Sequence, residues 1–327
     1  MSIRRIIRRV LMIPINCVES RIKETNWYRN SIPNIENYPG DRWYRDHLER
    51  NYDVVNLGSS SAVFCFDYDG LDVKAFNWAL KPQSMEYSFK VLKQYFSILR
   101  QNGIVLIPFS PFSGLSVTGK WAECANDKYY HILDRALIDN YESVAKRRQH
   151  PFLSMPLHSI KRLINDVQFC NMYSYNIQCK SKEEFEKSAK SWINIWMKEF
   201  DIVNLNAPLS QVNLEGRKSR LKIVKEMIAF CQERDLEPVV VLPPAHESLN
   251  NYFSSEFVLN YITSFLEELD SPEVKVLNYL ANSEFTKDEY FRDAYFMNKE
   301  GAKAFTRQVL SDIRLIVSMK KRRILSL

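Results

Sequence analysis

One short stretch of the chain has the residues of a nucleophile. Asn56-Leu57-Gly58-Ser59-Ser60-Ser61-Ala62 places three serines just after the apolar run 53–57 (DVVNL). A glycine there permits a tight turn out of a strand, and a serine just past it presents its hydroxyl at the sheet edge. The helix expected next aims its N-terminus at the reacting centre, where backbone N–H groups stabilise an oxyanion. The same serines also suit the plainer task of capping that helix. A serine hydroxyl needs a base, and the chain has five histidines: His47, His131, His150, His158 and His246. His246 is the best placed, two residues past Pro243-Pro244, which stop the run 238–242 (PVVVL). His47 precedes the first strand, and the other three lie where the strand rhythm fails. A carboxylate or an amine is the alternative activator, with Asp293, Glu247 and Lys81 as candidates. The six cysteines are scattered, with no CxxC pair and no metal-ligand spacing, so no metal or other cofactor is expected. They read as reduced thiols, which favours the cytoplasm.

The elements that must position these groups read as short apolar runs bounded by turn residues. They are 53–57 (DVVNL), 73–77 (VKAFN), 103–109 (GIVLIPF), 238–242 (PVVVL) and 274–279 (VKVLNY). Helical stripes at 3/4 spacing alternate with them: Phe89, Leu92, Tyr95, Phe96 and Leu99; Leu221, Val224, Ile228 and Cys231; Phe257, Tyr261, Phe265 and Leu269. This alternation predicts an α/β fold, a three-layer α/β/α sandwich on a parallel, flavodoxin-like sheet of about five strands. Such sheets carry their chemistry at the carboxyl ends of the strands. The expected organisation is a basic segment and irregular lead-in over 1–50, a domain over 51–317 and a basic tail over 318–327. Within the domain, a helical insertion is expected at about 115–200, carrying Trp192 and Trp196.

Near the far end, Asp293-Ala-Tyr-Phe296-Met-Asn298-Lys-Glu-Gly301 resembles the last block of the SGNH (GDSL-type) hydrolases. That block reads Asp-x-x-His, an apolar residue, Asn, two variable residues and Gly. Gly58-Ser59-Ser60 is similar to the first block of that family, Gly-x-Ser. The likeness spans about residues 53–310 and is nearest to the SGNH-like proteins of bacterial surface-polysaccharide gene clusters. It implies a serine esterase or O-acyltransferase that transfers or removes acetyl groups on a carbohydrate, with Ser60 as nucleophile and Asp293 as triad carboxylate. Gly58, Ser59, Gln83, Ser84, Ser110 and Asn298 are the candidates for oxyanion or substrate contacts.

The departures are as plain as the matches. Phe296 stands where that family has its catalytic histidine, and phenylalanine cannot take a proton. The loop 78–84 (WALKPQS) lacks the glycine of the second block, and the third block's asparagine has no counterpart unless Ser110 serves. The alternative is therefore a catalytically impaired relative that binds a glycan or an assembly partner.

A formal charge of +6 is modest, and its placement says more than its size. Arg4, Arg5, Arg8 and Arg9 open the chain, and Lys320, Lys321, Arg322 and Arg323 close it. Isoleucines set between arginine pairs predict an amphipathic helix over 1–13, in peripheral contact with an anionic membrane surface such as the inner face. Residues 10–15 (VLMIPI) are far short of the roughly 20 apolar residues of a membrane span. They also lack a secretory cleavage pattern. Nucleic-acid binding would rest on the basic ends alone, without a recognition motif.

Overall fold

The computed structural model describes residues 3–29, 49–113, 115, 123–165, 179–269 and 271–324. His47, Gly114 and Cys170 lie outside them. Five strands form one all-parallel sheet: β1 (Tyr52–Asn56), β2 (Ala75–Asn77), β3 (Leu99–Pro108), β4 (Glu237–Leu242) and β5 (Lys275–Asn278). Their order is β2-β1-β3-β4-β5, the flavodoxin-like arrangement that the strand–helix alternation predicts. Val54 pairs with Ile104 and Asn56 with Leu106, while Leu106 pairs with Val239 and Val241 with Leu277. Val54, Val55, Val105, Leu106 and Val239–Leu242 are buried, as parallel strands covered on both faces require.

Among the described residues, the α-helices of six or more residues are, in chain order, α1 (Ile3–Glu24), α2 (Ser60–Cys65), α3 (Met85–Tyr95), α4 (Tyr141–Gln149), α5 (Pro156–Ile164), α6 (Lys182–Glu199), α7 (Gln211–Gln232) and α8 (Lys299–Ile324). Ser84, Ser181 and Ser210 cap α3, α6 and α7, each accepting a hydrogen bond from a first-turn N–H. The stripe 257–269 is helical too, with a π-helical turn at Val258–Thr263.

Two compact units emerge. The sheet unit comprises Glu49–Lys120 and Tyr175–Leu327, and the helical unit Met1–Leu48 with Trp121–Ser174. The expected insertion at 115–200 is thus divided. Helix α6 belongs to the sheet unit because Phe185, Ala189, Ile193 and Trp196, one stripe of its surface, are buried there. The helical unit joins α1 to α4 and α5. Arg148 Nη2 donates to Tyr28 O at 3.1 Å, Leu153 N donates to Glu19 Oε1 at 3.0 Å, and Trp27 packs edge-on against His158. Part of the lead-in expected to be irregular is helical, since α1 runs on through Pro14 to Glu24. No helix among the described residues is long and apolar enough to cross a membrane.

Candidate functional site

The turn after β1 is built around a backbone that only glycine tolerates. Gly58 has φ +118°, and a Cβ there would stand 2.7 Å from Ala62 Cβ. The chain then enters α2 at Ser60. Two buried asparagines hold that helix in place. Asn77 Nδ2 donates to Ala62 O and Phe66 O, both at 3.1 Å, while Asn56 Nδ2 donates to Asn77 Oδ1 at 2.7 Å.

The three serines have different fates. Ser59 Oγ accepts the N–H of Gln83 at 3.1 Å. Ser61 is hydrogen-bonded to the Tyr295 hydroxyl, which also meets Ser110; burial raises the pKa of this phenol, and the two serines partly oppose the shift. Ser60 is half-buried in the first turn of α2, and its hydroxyl makes no hydrogen bond among the described residues. The first helical hydrogen bond is donated by Val63 to Ser59 O, so the helix itself leaves the N–H groups of Ser60 and Ser61 unused.

The block resembling the end of the SGNH domain forms a tight loop, closed by an antiparallel bridge between Phe291 and Met297. Asp293 Oδ1 accepts the N–H groups of Tyr295 at 2.9 Å and Phe296 at 2.8 Å. Its other oxygen lies 3.7 Å from Arg292 Nε. The carboxylate therefore shapes the loop that carries it. Asn298 is structural in the same way: Oδ1 accepts the N–H of Gly301 at 2.9 Å, and Nδ2 donates to Glu289 O at 2.7 Å. Gly301 permits a close approach, since a Cβ there would lie 2.1 Å from Tyr290 O. The Phe296 ring packs on Phe64 at 4.8 Å, on Tyr295 at 4.9 Å and on Trp192 at 5.1 Å.

Other expected site residues are occupied elsewhere. Ser84 caps α3, and the buried Gln83 side chain donates to Ser88 Oγ and Trp78 O. Ser110 is paired with Ser113 Oγ at 2.7 Å and also reaches Tyr295. His246, only 4% exposed, lies at the carboxyl end of β4, but its ring turns inward. Nδ1 accepts the N–H of Ser248 and Nε2 lies 2.9 Å from Asp288 Oδ1, with Phe185 stacked on the ring at 4.0 Å. Both ring nitrogens are thus engaged, and neither bonds Ser60. The His246 backbone does meet the closing loop, its N–H donating to Ala294 O at 3.2 Å.

The strand ends thus bring the 58–61 turn, the 78–84 loop, Ser110 and the 291–297 loop to one edge of the sheet. Between Ser61, Ser110, Pro243 and Tyr295 runs a narrow cleft with room for about one water molecule. Trp192, Trp196 and Arg292 there carried no functional signal in the sequence, whereas Lys81 was one of the candidate activators. Trp192 and Trp196 reach Tyr295 at 5.2 and 4.7 Å, forming an aromatic wall beside Phe296. Lys81 Nζ lies 3.7 Å over the Phe64 ring, and the Arg292 guanidinium lies 4.9 Å from the same ring. No family model matches the chain, and no curated protein matches it.

Proposed function

We propose that the sheet unit is a serine-dependent esterase or O-acyltransferase acting on carbohydrate through an acyl-Ser60, and that the helical unit rests on an anionic membrane surface. The observation that carries the first part is the contrast among the three serines. Ser59 and Ser61 are hydrogen-bonded, whereas the hydroxyl of Ser60, at the helix start behind a left-handed glycine, makes no hydrogen bond among the described residues. The N–H groups of Ser60 and Ser61 are the nearest donors for an oxyanion. The half-buried rings of Trp192 and Phe296 offer flat apolar faces against which a sugar ring packs. Turnover of an activated acetyl ester and of an acetylated oligosaccharide tests this, with Ser60→Ala as the comparison. Activity that survives Ser60→Ala unchanged would overturn it.

A second reading, a glycan-binding protein without turnover, is favoured by Phe296, which fills the histidine's place with packed aromatic surface. It predicts glycan binding by wild type and Ser60→Ala alike, with no ester cleaved by either.

The membrane part rests on α5. Leu157 and Ile164 are 84% and 75% exposed, and with the exposed Ile160 they form one outward stripe of the helix, with Leu163, also exposed, at its margin toward the buried Ser159. Lys161 is exposed beside them. The described segments of this unit, 3–29 and 123–165, carry fourteen Lys and Arg against seven Asp and Glu. An outward apolar stripe on a basic unit complements an anionic bilayer.

A further inference from the structure

We infer that Lys81 is the base that takes the Ser60 proton, in place of the histidine that Phe296 displaces; this rests on the serine reading above. Two anchors flank Lys81. On one side, Leu80 N donates to Gly58 O at 3.2 Å, and on the other, Gln83 N donates to Ser59 Oγ at 3.1 Å. The loop is therefore stitched to the two residues immediately before Ser60, with Lys81 between the stitches. Its amine stands 3.7 Å over the Phe64 ring. Phe64 is one helical turn beyond Ser60 on the same face, and helical side chains lean toward the N-terminus, so that ring covers the Ser60 turn. An amine seated on it lies over the turn that carries Ser60, whose hydroxyl makes no hydrogen bond among the described residues.

The surroundings suit a base at neutral pH. Burial, and then the nearby Arg292 charge, lower the Lys81 pKa from 10.5 to about 6. Among the described residues, the Arg292 guanidinium of the closing loop is the charge that acts on it, with Asp293 beside that guanidinium. Helix α2 (SSAVFC) contributes no charge. The other activators are less suitable. Asp293 Oδ1 holds two backbone N–H groups, both His246 nitrogens are engaged, and Glu247 is exposed.

In the step proposed, the neutral amine takes the Ser60 proton as Oγ bonds to the acyl carbon and the carbonyl electron pair moves to oxygen. Collapse breaks the ester C–O bond, and the Lys81 ammonium returns the proton to the departing alkoxide. Water or a sugar hydroxyl then attacks acyl-Ser60, giving its proton to Lys81. As the serine leaves, its oxygen recovers that proton.

The test is the rate at which a fluorophosphonate modifies the full-length protein between pH 5 and 9, with the adduct located by peptide mass spectrometry. Wild type should react at Ser60, the rate rising through a midpoint near 6 to a plateau. Lys81→Met and Lys81→Arg should each react a hundredfold or more slowly at pH 7.5 and lose that midpoint. Arginine keeps a long stem over Phe64 but cannot give up its proton, so it separates loss of the base from loss of the side chain's packing. If neither variant folds, the wild-type profile decides, and a midpoint above 8 or none at all overturns the inference. Undiminished modification of Ser60 in a folded Lys81 variant removes Lys81 and leaves the serine reading standing. Failure of wild type to react at Ser60 at any pH removes both.

Discussion

Phe296 and Phe64 face one another with ring centroids 4.8 Å apart, and Phe64 lies one helical turn beyond Ser60. Phe296 is thus part of an aromatic packing that also includes Trp192, while the Asp293 carboxylate is committed to its own loop. On the serine reading proposed above, Phe296 is an aromatic wall where a Ser–His–Asp arrangement has its base.

Phe296→His separates the two possible bases. In the Lys81→Met background it should raise esterase activity about tenfold or more, because imidazole is the usual general base for serine. In the wild-type background the gain should be smaller, since Lys81 already serves. Steady-state rates of the four proteins check this, and a gain equally large in both backgrounds would contradict it.

His246→Asn should act on stability rather than chemistry. The ring is buried against Phe185, caps the turn at Glu247–Asn250 and bonds Asp288. Its loss should cost about 2–3 kcal/mol in denaturant unfolding. Fluorophosphonate modification of Ser60 in the folded variant should keep the wild-type rate.

The buried amine makes a prediction about pH. Between pH 6 and 10.5 the unfolded chain holds the Lys81 proton and the folded chain does not, so this group's contribution to stability rises with pH across that window. Lys81→Met should therefore be more stable than wild type by about 2–4 kcal/mol at pH 7, with the difference shrinking toward pH 10. Urea unfolding of both proteins at pH 7 and 9.5 measures it. Parallel pH dependences would contradict the burial of a neutral amine.

Vesicle sedimentation tests the helical unit. The chain should pellet with vesicles of equal parts phosphatidylglycerol and phosphatidylcholine, release in 0.5 M salt and ignore pure phosphatidylcholine. Leu157→Glu with Ile164→Glu should weaken binding tenfold or more, and removal of residues 1–13 should weaken it separately. Equal pelleting of wild type and the double variant would overturn the proposal for α5. A dimer that the same double variant dissolves would assign the face to a second copy of the chain instead.

The sheet was legible because its strands are buried on both faces and read as continuous apolar runs. Even so, β3 begins at Leu99 rather than at Gly103: Leu99 pairs with Tyr52 before the irregularity at Asn102, whose φ is +56°. No apolar run marks such a pairing. The turn at Gly58 was legible because a strand, a glycine and a serine in succession allow few geometries. The direction of the His246 ring was not, since strand position places a Cα but leaves the rotamer to Phe185 and Asp288, distant in sequence. Trp192 and Trp196 fell in a segment expected to be helical, but helical pattern does not name what a side chain packs on. Lys81 read as one of three possible activators, because its low basicity arises from burial and the Arg292 charge, both long-range features.

The most direct measurement is the intact mass of the full-length protein after incubation with a fluorophosphonate at pH 7.5, followed by peptide mapping. One adduct per chain, on Ser60 and absent from Ser60→Ala, is the predicted result. An unmodified protein, or an adduct on Ser59, Ser61 or Ser110 that persists in Ser60→Ala, would contradict the assignment of Ser60 as the nucleophile.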